Sequence, residues 1–254
     1  LTGLPRAGNT LFGSIMNQNK DIAVTANSIT CDMLWQISEL KKISTFINFP
    51  DHDSLDNVMK NILPNYYAGW KAKYILDRST WGISENMSIL KKYVKNELKI
   101  IVLNRDVLEV LASFIIFSKK SKTNYVALAG NNTEERCEWL MGYNSQINRG
   151  ILSAHELSKP EYEKQTHFIE YDDLVKNTRE EIDQVYEFLD IPKFEHNFDK
   201  LEQFECNGMS YDESIFGGKL HNVKPNGIEK TKFKVENVLP KSIIDKYSGI
   251  KVRL

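Results

Sequence analysis

The chain has 254 residues, 41% of them hydrophobic, enough for one substantial core, so the sequence predicts a single domain over residues 1–254 and excludes a fibrous or disordered chain. With 33 lysines and arginines against 34 aspartates and glutamates, the net charge of −1 excludes a general pull toward nucleic acid or membrane, and any anion site must be local. Three cysteines, Cys31, Cys137 and Cys206, lack metal-ligand spacing and any CxxC, the pattern of free thiols in a reducing, cytoplasmic compartment.

From Leu1 the chain reads as a strand end, a Gly-rich turn and a helix from about Thr10 to Asn19, with Leu11, Ile15 and Met16 on one face. A second helical stretch carries Ile29, Leu34, Ile37, Leu40 and Ile43; a third starts at the caps Asp53 or Ser54 and runs to Leu63, after the charged loop Asp51-His52-Asp53. Lys73 to Leu76 is a short strand, followed by a helix capped near Ser84 and continuing to Tyr93. Lys99 to Leu103 (KIIVL) is a near-continuous apolar run without alternation, as a strand buried on both faces of a parallel sheet should be, and a helix follows from about Val107 to Phe117. Thr133 opens a long helix reaching toward Leu157, His167 to Glu170 is a further strand, and Thr178 to Leu189 is an amphipathic helix ending before Pro192. The tail from Asn207 is rich in Gly, Lys and Asn and reads as a loop folded over something before a last helix near Pro240 to Tyr247. Strands alternating with helices predict an α/β, three-layer fold with a largely parallel central sheet, whose ligands sit at the carboxyl ends of the strands. No run of about 18 apolar residues and no signal peptide is present, which predicts a soluble segment without membrane insertion. The chain opens at Leu1 rather than Met, so an anchor upstream stays open.

Gly3-Leu4-Pro5-Arg6-Ala7-Gly8-Asn9-Thr10 has the GxxxxG-x-Thr spacing of a nucleotide phosphate loop, with Asn9 where a nucleotide triphosphatase needs its lysine. Backbone N–H groups and a helix N-terminus still converge on one concavity and favour an anion, while ATP or GTP hydrolysis is disfavoured. A plain strand-turn-helix connection is the rival reading of the same residues.

The stretch from Leu4 to Leu11 resembles the 5′-phosphosulfate loop of sulfotransferases that use 3′-phosphoadenosine 5′-phosphosulfate (PAPS). Lys99 to Phe114 resembles that family's 3′-phosphate element, in which a strand ends in Arg (Arg105) and a Ser (Ser113) follows eight residues later. Phe168 to Val175, leading to Tyr186 and Pro192, is similar to its Tyr-Glu-Asp-Leu segment and following helix. The resemblance implies a P-loop-like sulfotransferase architecture and transfer of a sulfuryl group from PAPS, without a metal, to an acceptor hydroxyl or amine on a small molecule, glycan or peptide.

Residue by residue, the resemblance implies that Arg6, Ala7, Gly8, Asn9, Thr10 and Leu11 hold the phosphosulfate end, and that Arg105, Ser113 and Tyr171 hold the 3′-phosphate and adenine. Lys224, Asn226 and Lys230 would belong to a C-terminal loop that closes over the 3′-phosphate, and Arg78 would approach the transferred group beside Arg6. Plain alternatives stand beside these: a salt bridge for Arg105, core packing for Tyr171, a solvated Lys-rich loop for the tail. The family's usual general bases are missing, since their places read Thr80 and Ala26-Asn27; His52 is the substitute the sequence offers, with Asp32 and Asp77 behind it. A small-molecule or nucleoside kinase on the same loop, and a non-catalytic module that binds PAPS, are the competing functions.

Overall fold

The computed structural model describes residues 1–94, 97–218, 220–223, 227–230 and 233–253. In chain order the elements are β1 (Thr2–Gly3), α1 (Asn9–Met16), β2 (Ile22–Val24), α2 (Thr30–Leu40), α3 (Ser44–Ile47), α4 (Ser54–Tyr66), β3 (Tyr74–Leu76) and α5 (Ser84–Tyr93). They continue as β4 (Ile100–Asn104), α6 (Val107–Ser118), α7 (Tyr125–Leu128), α8 (Thr133–Met141), α9 (Gln146–Leu157), β5 (Thr166–Glu170), α10 (Tyr171–Lys176), α11 (Thr178–Leu189) and α12 (Lys241–Tyr247).

All strand pairs are parallel: β1 with β4, β4 with β5, and β2 with β3. Two backbone bonds, Leu1 N to Asp77 O (2.9 Å) and Ser79 N to Leu1 O (3.1 Å), join the two groups, so the strands run in the order β2-β3-β1-β4-β5. Every residue of β4 is buried. Because successive side chains point to opposite faces, both faces of the sheet are covered there, as the unbroken apolar run predicts. Leu103, Leu111, Ile115 and Ile101, each nearly inaccessible, continue that core into α6.

The sheet explains Gly3. Its φ is +117°, and a Cβ built on it would lie 2.1 Å from Leu103 O, so only glycine lets β1 meet β4 here.

The structure departs from the sequence reading chiefly in three places. The helix predicted from Thr133 toward Leu157 is two helices, because Gly142 caps α8, Asn144 takes a left-handed φ of 64°, and Ser145 caps α9 through its hydroxyl and Asn148 N. The first helix ends at Met16 rather than Asn19. Strand β2 had no predicted counterpart: three residues, all buried, are too short to show a period.

Candidate active site

The turn after β1 carries the phosphate-loop spacing. Gly8, with φ 85°, precedes α1, and a Cβ there would press on Leu174 and Tyr171 at 3.1 Å, so the loop lies flat against α10. Arg6 also has a left-handed backbone (φ 61°), an arrangement costing on the order of 1–3 kcal/mol that persists only when its surroundings hold it. The hold is visible: Arg105 Nη1 donates to Arg6 O at 2.9 Å, while the Arg6 side chain donates from Nε to Ser113 Oγ (3.1 Å) and from Nη1 to Leu220 O (3.3 Å). Burial lowers the Arg6 pKa, and the neighbouring Arg105 lowers it further.

Arg105 follows β4 directly and is 6% exposed. Asp106 caps α6 by accepting from Glu109 N, so strand, arginine and helix succeed one another without slack. The guanidinium donates from Nε to Glu109 Oε2 (2.9 Å) and stacks over the Tyr171 ring, 4.0 Å from its centroid. Its Nη2 is buried without a hydrogen-bond partner. Arg6, Gly8, Thr10, Arg105, Ser113 and Tyr171 line one cavity of about 240 Å³. Ser113 Oγ accepts from Arg6 Nε rather than meeting Arg105, and the two arginines are joined through the Arg6 carbonyl.

Asn9 occupies the lysine position of a triphosphatase loop, and its amide has a different task. Nδ2 donates to Leu4 O (2.9 Å) and Oδ1 accepts from Arg78 Nε (2.6 Å), which ties Arg78 to the loop. Arg78 Nη1 donates to Ala26 O (2.7 Å), and burial lowers its pKa to about 10.

Pro5, Arg78 and Gln146 line both the first cavity and a second one of about 790 Å³. That second space has an aromatic wall of Tyr66, Tyr67 and Trp70, packed edge to face, with Asp32, Arg149 and Tyr211 around it. Behind the wall Asp77 is fully engaged: Oδ2 accepts from Thr30 Oγ1 (2.6 Å) and from the Tyr67 hydroxyl, and Oδ1 accepts from Trp81 Nε1 (3.0 Å).

Not every predicted residue is brought here. His52 stands on the exposed loop before α4, with Nε2 at 3.2 Å from Ile47 O, and lines neither cavity. The loop's own bonds are local: Asp51 Oδ1 accepts from Asp53 N (3.1 Å) and Asp51 O from Ser54 Oγ (2.8 Å), at the turn into α4. Lys230 pairs with Asp172 (2.6 Å) and Glu109 (3.5 Å) rather than lining the cavity, although Gly227 and Ile228 of the same stretch do line it. Lys224 and Asn226 lie outside the described residues. Ala7, within the loop, is buried and its side chain does not line the cavity.

Sequence reasoning missed Gln146, Tyr125 and the pair His221–Glu213. His221 lines the first cavity; its Nδ1 meets Glu213 Oε1, and Glu213 Oε2 accepts from Leu220 N and from His221 N (3.2 Å). Nothing local marks them, since both stand in the aperiodic tail.

No curated protein matches the chain in sequence. Among solved structures it is similar to the sulfotransferase STF9 from Mycobacterium avium, with 13% identity and a TM-score of 0.46 over 75% of this chain and 63% of that one. It is also similar to the sulfotransferase domain from the curacin biosynthetic pathway, with 17% identity and a TM-score of 0.44 over 99% of this chain and 92% of that one. The chain thus spans less than two thirds of the Mycobacterium avium protein and nearly all of the curacin domain. Residues 1–247, almost the whole chain, match the family model described as the sulfotransferase domain, and by that match the chain belongs to the sulfotransferase domain family.

Proposed function

We propose that the chain is an enzyme that moves the sulfuryl group of PAPS to an acceptor hydroxyl or amine and releases adenosine 3′,5′-bisphosphate. The observation that carries this reading is Arg105 Nη2, a buried donor without a partner on a guanidinium at the end of a parallel strand, in the same cavity as Arg6. An unpartnered buried donor is costly, and a phosphate oxygen would satisfy it while matching the planar fork. Tyr171, already stacked on that guanidinium, offers the adenine an aromatic neighbour, and the start of α1 offers backbone N–H groups to the phosphosulfate.

Sulfuryl transfer runs in line through a loose transition state, by analogy with phosphoryl transfer, and negative charge grows on the oxygen that bridges sulfur and the 5′-phosphate. Arg6 and Arg78, held by carbonyls and by Asn9, are fixed cations beside that position, where preorganised charge is most effective. The acceptor would enter through the aromatic cavity, which meets the first at Pro5, Arg78 and Gln146. A kinase reading lacks the loop lysine, because Asn9 is committed to Leu4 and Arg78.

The test is a thermal shift with adenosine 3′,5′-bisphosphate in metal-free buffer, beside ATP with magnesium. At a hundredfold excess over its dissociation constant the bisphosphate should add about 2.7 kcal/mol of stability. No shift with the bisphosphate and a clear one with ATP and magnesium would refute the proposal.

A further inference from the structure

We propose that His221, oriented by Glu213, is the general base that takes the acceptor's proton. The inference rests on the PAPS reading above and replaces His52 in that role. Among the described residues lining either cavity, His221 is the one histidine. Its partner is well restrained: one Glu213 oxygen meets Nδ1, and the other is held by two successive backbone N–H groups, Leu220 and His221. A carboxylate on Nδ1 keeps the proton there, steadies the ring and makes Nε2 the basic nitrogen, the arrangement that lets a histidine accept a proton repeatedly.

Position agrees with that chemistry. Leu220 O, one residue before His221, accepts from Arg6 Nη1 at 3.3 Å. The imidazole packs on the Tyr211 ring, 5.1 Å between centroids, and the Tyr211 hydroxyl accepts from Ala26 N at 2.9 Å. Ala26 O in turn accepts from Arg78 Nη1. His221 is therefore tied to both arginines expected at the transferred group, and Tyr211 is itself a wall of the aromatic cavity. The groups facing the ring are Glu213, Tyr211, Phe216 (6.3 Å between centroids) and, through Leu220, Arg6. Of the other carboxylates, Asp77 is held by three donors, Asp32, in the open, meets Arg149 at 3.6 Å, and Asp212 accepts from Ser214 N (2.9 Å), while Glu229 lines the first cavity together with His221 and is the rival that the experiment separates.

In the step itself the acceptor O–H proton passes to Nε2 as the acceptor oxygen bonds to sulfur. The bond from sulfur to the bridging oxygen breaks, and its electron pair stays on the 5′-phosphate of the departing bisphosphate. The imidazolium then returns its proton to solvent.

The experiment uses the full chain with radiolabelled PAPS in single turnover, with 2-phenylethanol, 4-nitrophenol, or water alone as acceptor. An alcohol or water holds its proton and needs the base, whereas the nitrophenol ionises readily. His221→Gln should lower the rate with 2-phenylethanol, or with water if neither organic acceptor is taken, by about 10²–10⁴, and with 4-nitrophenol by less than about tenfold. Affinity for adenosine 3′,5′-bisphosphate should hold, Glu213→Gln should show a smaller loss of the same kind, and added imidazole should restore part of the rate to His221→Gly. An unchanged rate in His221→Gln overturns the proposal, as does an equal loss with both organic acceptors, a loss matched by weaker bisphosphate binding, or a loss found in Glu229→Gln instead. A parent protein that does not bind the bisphosphate sinks the PAPS reading itself, which is a different failure.

Discussion

Replacing Arg105 by alanine separates recognition of the donor from chemistry. The side chain has a donor at Nη2 free of protein partners, a donor at Nη1 spent on the Arg6 carbonyl and one at Nε spent on Glu109. If Nη2 meets the 3′-phosphate, its loss removes one charge-assisted hydrogen bond, worth roughly 1.5–3 kcal/mol. At about 1.4 kcal/mol per decade, the dissociation constant of adenosine 3′,5′-bisphosphate should rise roughly 10- to 150-fold. The same substitution strands Arg6 O and leaves Glu109 with Lys230 alone among the described residues, so the fold should lose about 1–3 kcal/mol, read as a lower Tm. Arg105→Lys should recover part of the affinity, since charge returns without the fork.

The assay is calorimetric titration of parent and variant with the bisphosphate and with adenosine 5′-monophosphate, which lacks the 3′-phosphate. The variant should bind the monophosphate nearly as the parent does and lose affinity only for the bisphosphate. Single-turnover transfer at saturating PAPS should fall much less than affinity, because a contact remote from sulfur is similar in ground and transition states. Equal losses for both nucleotides, or a collapsed rate with affinity intact, would refute the assignment.

Arg6→Ala should do the reverse, cutting single-turnover transfer by about 10²–10³ with far less change in bisphosphate affinity, and Arg6→Lys should restore part of it. Asn9→Ala frees Arg78 Nε from its 2.6 Å bond, so transfer should slow by about 5- to 30-fold while bisphosphate titrations stay near the parent. Gly3→Ala puts a methyl against Leu103 O at a φ of +117° and should fail to fold or lose several degrees of Tm in a melting curve. Burial lowers the pKa of His167 and of His196 below the ordinary 6.5, so the unfolded chain binds more protons there. Stability should therefore fall as pH drops below about 6.5, by up to about 1.4 kcal/mol per histidine per pH unit across the window, and His167→Gln should flatten urea-midpoint profiles there.

What the sequence could disclose follows from how local each feature is. KIIVL announced β4 because four apolar residues in a row, Ile100 to Leu103, need no partner to be recognised, and Arg105 just beyond the strand stood out as a cation where a cation is expensive. Helix α4 was nearly right, running to Tyr66 past Pro64, whose missing N–H falls late in the helix and does not end it. The break at Gly142 was legible only in retrospect, as Gly-Tyr-Asn-Ser can also sit within a longer helix. The contacts that make the site are another matter. Arg105 and Arg6 are 99 residues apart, Arg6 and Leu220 are 214 apart, and the strand order that brings them together is not encoded in any window. His52 drew attention because it is flanked by aspartates; His221 has its aspartate-like partner eight positions back, in a stretch with no period to read.

The three arginines share one device. Each spends Nη1 on a backbone carbonyl: Arg6 on Leu220 O, Arg78 on Ala26 O and Arg105 on Arg6 O. A carbonyl orients a guanidinium without cancelling its charge, unlike a carboxylate, so the cations are aimed while their charge remains available to an incoming anion. Among the described residues Arg105 has a carboxylate partner as well, Glu109, and it is the one assigned to ground-state binding rather than to the reacting oxygen. The arrangement is costly without a ligand, as the lowered pKa values of Arg6 and Arg78 record: burial opposes both charges, yet at about 10 Arg78 stays protonated at neutral pH. On the PAPS reading, a polyanionic donor would relieve that cost on arrival, most where charge increases during transfer, beside Arg6 and Arg78. On the same reading, the two arginines placed at the reacting oxygen are held by neutral groups, and the one placed at the 3′-phosphate is held by a carbonyl and a carboxylate together.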